Sequence, residues 1–67
     1  MKITKEQIAQ FRKDLETAMR KLHDPEHGWD VPEETIKAEC YDAPDSFIAH
    51  LIETGADPDG WAYTILM

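Results

Sequence analysis

The sequence predicts an all-α fold, a small helical bundle of one long N-terminal helix and two or three shorter helices, in one acidic domain over residues 1–67. Ile8, Phe11, Leu15, Ala18 and Leu22 recur at alternating spacings of three and four, with Met19 beside them, and so draw one apolar stripe along a helix. Asp30-Val31-Pro32-Glu33-Glu34 and Asp42-Ala43-Pro44-Asp45-Ser46 repeat one helix-start pattern. Phe47, Ile48, Leu51 and Ile52 then make a second apolar face, closed by Gly55. The alternative architecture is α+β, with a short C-terminal strand.

The first helix, within Ile3 to His23, has two start signals. Thr4-Lys5-Glu6-Gln7 reads as a capping box, and Ile3 with Ile8 as a hydrophobic staple. On its outer face Glu16 stands four residues from both Arg12 and Arg20, a spacing that supports ion pairs. Lys21 and His23 suit the negative end of the helix dipole, and Asp24-Pro25 stops the helix, because proline disfavours helical geometry in the residue before it.

Glu26-His27-Gly28-Trp29 is a loop, from which Trp29 either folds back over the first helix as a lid or stands out as an anchor for a partner. The second helix, about residues 31 to 41 with Asp30 at its N-cap, carries the weakest pattern. Ile36, Ala38 and Cys40 alternate with Thr35, Lys37 and Glu39 as a strand would, so only the start signal favours helix. The third helix runs from Ala43 to Thr54. Ala56-Asp57-Pro58-Asp59-Gly60 reads as a turn. Residues 61–67, aromatic and β-branched, form either a short strand or a last helical turn or two that packs Trp61 and Ile65 inward.

At 67 residues the core is small and stability marginal. Cys40 is the only cysteine, which excludes an internal disulfide and fits a reducing, cytoplasmic setting. No apolar run approaches the roughly 20 residues of a membrane span, and the charged N-terminus is unlike a signal peptide. Charge is lopsided: residues 1–24 hold six basic and four acidic residues, whereas residues 25–67 hold Lys37 against ten acids, a net of −9 within the chain's −7. Such a field favours basic partners and repels nucleic acid.

Residue patterns for specific chemistry are sparse. His23 and His27 straddle Pro25 rather than share a helix face, so neither they nor Cys40 and His50 define a metal site. Asp57-Pro58-Asp59-Gly60 starts like a calcium loop but lacks the later ligands. Asp45-Ser46 before an apolar helix resembles, over these few residues, the acyl carrier proteins, in which a serine carries a phosphopantetheine arm. Phe47 stands where that family has an aliphatic residue and its preceding glycine is missing, so Asp45 and Ser46 read as polar first-turn residues. No cofactor is expected. Cys40 has no nucleophile signature, and enzymatic activity is not expected. Lys5, Arg12, Lys13 and Arg20 share the polar side of the first helix, but Glu6, Asp14 and Glu16 interrupt them and the third helix has no lysine or arginine, which disfavours direct nucleic-acid binding.

The reading these features support is an acidic interaction module for a basic protein partner, as an inhibitor, an adaptor or a mimic of nucleic-acid charge. Trp29, Asp30, Glu33, Glu34, Asp57, Asp59 and Trp61 are its candidate binding residues, with Tyr63 a further exposed aromatic. A plainer reading makes the acids a solvated face. An alternative from another class is a self-associating structural or accessory protein, a homodimer through the first helix's stripe. Size and acidity of this kind are common among phage and mobile-element products.

Overall fold

The Thr4 hydroxyl accepts from the Gln7 amide at 3.1 Å, and the Gln7 side chain accepts from the Thr4 amide at 2.8 Å, so the capping box is complete. It opens α1 (Lys5–Leu22), the first of four helices among the residues 2–66 that the computed structural model describes. A 3-10 turn (Pro25–His27) follows. Then come α2 (Glu33–Lys37), which runs straight into a π-helical segment (Ala38–Asp42), α3 (Asp45–Glu53) and α4 (Pro58–Leu66). The fold is all-α, and the C-terminal stretch is helical through Leu66; Met67 lies outside the described residues.

Helix α1 is the spine. Among the described residues, every close backbone approach between separate helices involves it: α4 packs along it, and α2, its π-helical continuation and α3 each pack against it. Its 18 residues span about 27 Å, and the molecule is correspondingly elongated, 42 × 19 × 15 Å. Phe11, Leu15, Ala18 and Met19 are buried at the centre of the predicted stripe, and Ile8 and Leu22 are half-buried at its ends. Val31, Ile36, Cys40, Ile48, Leu51 and Ala62 complete the core. The centre of the stripe is therefore covered within one chain by the later helices.

Both helix starts lie later than the sequence pattern suggests. Asp30 is not an N-cap; Pro32 holds that position, in extended geometry and with no side-chain cap. Its carbonyl accepts from Thr35 and Ile36 at 3.0 and 3.2 Å. Pro44 repeats this, accepting from Phe47 and Ile48 at the same distances, so Asp42 does not cap α3 either. In both repeats the proline fixes φ and its carbonyl starts the ladder, leaving no role for the aspartate two residues before. Within residues 35–41 the helical pair Ile36 and Cys40 is buried while Ala38 is exposed, which removes the strand reading.

The ends behave more simply. Gly55 takes φ +77° after α3, with its amide on the Ile52 carbonyl at 3.1 Å and the Ala56 amide on the Leu51 carbonyl at 2.9 Å, a full Schellman motif. The expected turn at 56–60 is shorter, since α4 has already begun at Pro58. Trp61 donates its amide to the Asp57 carbonyl at 2.8 Å, which makes Asp57 the N-cap and Pro58 the first helical residue.

Arg12 does not pair with Glu16. Its side chain, 12% exposed, turns to the joint between the π-helical segment and α3, where it donates to the carbonyls of Cys40 and Ala43 and to Asp45. Glu16 instead accepts from Arg20 at 3.0 Å and from the Tyr41 hydroxyl, and Arg20 also donates to Glu33 at 3.1 Å. These two networks tie α2 and its continuation to the polar edge of α1.

Candidate partner-binding groove

The loop after α1 is closed by its own backbone. Asp24 and Trp29 exchange amide-to-carbonyl bonds of 2.6 and 2.9 Å, with Gly28 at φ +87° making the reversal. His23 caps α1 and fixes the outgoing strand of this loop, because its Nδ1 accepts from the Val31 amide at 3.0 Å. The Asp30 carboxylate lies 3.8 Å from the same Nδ1. His27 donates from Nδ1 to Asp24 at 2.6 Å. Among the described residues no three His, Cys, Asp or Glu side chains gather as a metal site would require.

Trp29 is half-buried, but not as a lid on α1. It stands outside the core cluster, and its ring lies 5.5 Å from that of Tyr63 on α4, tilted by 35°. Trp61 is likewise not a free anchor. It packs into the seam between α3 and α4, its ring 6.1 Å from Phe47, and its buried indole N–H meets no acceptor among the described residues.

Shallow clefts meet around the Trp29–Tyr63 pair. Arg20, His23, Asp30, Val31, Pro32, Glu33 and Ile36 line one of about 450 Å³. Through Asp30 and Val31 it continues into a second, of about 320 Å³, walled also by Gly28, Trp29 and Leu66. Across the aromatic pair Tyr63 walls a third with Ala18, Lys21, Leu22 and Asp59, and Lys21 and Asp59 lead on to a fourth with Asp14, Thr17, Asp57 and Pro58. The first two share Asp30 and Val31 on the flank of α1 that faces α2, the last two share Lys21 and Asp59 on the flank that faces α4, and the Trp29–Tyr63 contact lies between the two sets. Comparisons with protein-family models, curated proteins and solved structures find no match for this chain.

Five of the seven residues singled out from sequence, Trp29, Asp30, Glu33, Asp57 and Asp59, line these clefts. Glu34 and Trp61 line none of them. The clefts also use Asp14, Thr17 and Lys21, which share one face of α1 at spacings of three and four and were legible only as a helix surface. The ionic side chains of the four clefts taken together are Asp14, Asp30, Glu33, Asp57 and Asp59 against Arg20 and Lys21. Arg20 is already engaged by Glu16 and Glu33.

The buried thiol of Cys40 offers no nucleophile. It is 0% exposed against the Met19 sulfur, at 3.7 Å, and burial together with the charges of Glu16 and Glu39 pushes its pKa up to about 11.

Proposed function

We propose that this protein is a small acidic interaction module that binds a basic protein partner at these clefts, without catalysis, as an inhibitor, an adaptor or a mimic of nucleic-acid charge. The observation that supports this reading best is the placing of Asp30 and Glu33, and of Asp57 and Asp59, from two separate sequence regions, in shallow clefts on either side of one aromatic pair. Groups of one sign in a cleft focus the field and speed the encounter with an oppositely charged partner, and a desolvated aromatic supplies the contact that retains it. Acids outside these clefts, such as Glu34 and Glu53, add to the long-range field only.

The test is capture from native lysate at low and high salt, followed by affinity measurement on a captured basic protein. The double variant Asp30→Lys/Asp59→Lys should weaken binding at least tenfold, and Glu34→Lys much less. Binding to a basic protein should also fall steeply with salt, because exposed charges are screened within about 10 Å at 0.1 M. Equal effects of the cleft and control variants would leave only a solvated acidic face. Recovery of the bait alone, indifferent to salt, would instead favour self-association.

A further inference from the structure

What lies between the two sets of clefts is not acidic but aromatic, and its position narrows what the partner must present. Trp29 walls the cleft that contains Asp30, and Tyr63 walls the one that contains Asp59, so each of the clefts that adjoin the 5.5 Å ring contact holds one carboxylate. Tyr63 is 48% exposed, which leaves ring surface open to a partner. Its only cationic neighbour among the cleft residues is Lys21. An aromatic face flanked by carboxylates attracts a cation twice, through the ring quadrupole and through the flanking charge, and it accepts the flat guanidinium of arginine best.

We propose that the Trp29–Tyr63 pair seats one arginine or lysine side chain of an extended basic segment in the partner, with Asp30 and Asp59 on either side. This rests on the basic-partner reading and names the chemistry at its centre. Charge complementarity commits the occupant: the two clefts that adjoin the pair hold Asp30 and Asp59 against Lys21, in a chain of net charge −7, which disfavours an acidic segment and leaves an apolar one with carboxylates to desolvate.

The experiment uses the full chain carrying Trp61→Phe, so that Trp29 is the one tryptophan. The Trp61 N–H has no acceptor among the described residues, so the change removes no hydrogen bond within them. A blocked hexapeptide with three arginines is titrated against Trp29 emission, beside the same peptide with neutral citrulline. A saturable change with arginine and none with citrulline is expected. Tyr63→Leu should lower affinity about two- to fivefold, the range of an exposed cation–π contact, and Tyr63→Phe should retain it. As a check that needs no variant at Tyr63, the arginine δ-CH₂ protons of the bound peptide should show upfield ring-current shifts.

Unchanged affinity in Tyr63→Leu together with unshifted δ-CH₂ protons would overturn the aromatic seat. If Asp30→Asn/Asp59→Asn still weakened binding in that case, the basic-partner reading would stand without it. Failure of the arginine peptide to bind the parent chain would overturn both.

Discussion

The Arg12 guanidinium donates to the Cys40 carbonyl at 2.7 Å, across 28 residues of sequence, and so fastens the end of the π-helical segment to the middle of α1. The same group reaches the Ala43 carbonyl at 2.9 Å and Asp45 at 2.7 Å. Carbonyls at a helix end lack intrahelical partners, and a part-buried one is costly to leave unpaired. Arg12→Ala should therefore lower the unfolding free energy by about 2–3 kcal/mol. Lysine, with a point charge instead of a planar fork, should recover less than half of the loss. Urea denaturation of the two variants measures this, and a loss in Arg12→Ala within experimental error would show that the clamp contributes nothing net.

Two glycines should respond with opposite signs. Gly55 sits at φ +77° with open space where a Cβ would go, so Gly55→Ala meets backbone strain alone and should destabilise by about 1 kcal/mol. Gly60 lies in the first turn of α4, and the nearest atom to its would-be Cβ is the Asp57 Cβ at 3.9 Å. Alanine there meets no clash and restricts the unfolded chain, so Gly60→Ala should stabilise by about 0.5–1 kcal/mol. Thermal unfolding of both variants in one buffer gives the comparison directly.

What the sequence made legible was whatever depends on periodicity and local capping. The stripe from Ile8 to Leu22, the Thr4–Gln7 box and the Gly55 terminator each follow from residues within a few positions of one another. The direction of Arg12 was not legible, because its partners are carbonyls that converge only when the α2–α3 joint folds onto α1. Helix α4 was obscured by composition: β-branched and aromatic residues suggest a strand, and burial of Ala62 against α1 outweighs that weak preference. At the clefts, the acids and Trp29 were visible as residue types. Their alignment with Asp14 and Lys21 was not, since it depends on how α4 lies along α1.

The Glu16 carboxyl is held below its ordinary pKa by the Tyr41 hydroxyl first and by Arg20 second. A carboxylate depressed in the folded state adds stability above its unfolded pKa, and that stability is lost as pH falls through the folded value. The acid limb of the stability curve should accordingly be shallower in Glu16→Gln, and partly so in Tyr41→Phe. Chemical denaturation midpoints between pH 3 and 6 would show this, and parallel limbs in both variants and the parent would remove Glu16 as a contributor.

Cys40 governs the alkaline side by the reverse sign. Burial raises its thiol to about 11, so the folded chain keeps a proton that the unfolded chain releases above the ordinary thiol range, roughly 8.5. The contribution is complete below that range and is lost as pH rises through it towards 11. Cys40→Ala should start from a lower stability, because a fully buried side chain beside Met19 is shortened, yet fall less steeply between pH 9 and 11. Tyr41, raised mainly by its bond to Glu16, supplies a further alkaline loss that this variant retains. The same burial predicts slow reaction of the thiol with a disulfide reagent at pH 8, at least about 100-fold slower in buffer than in urea, because labelling must wait for opening of the core. Labelling at the urea rate in the native protein would mean that the π-helical segment does not hold Cys40 against α1.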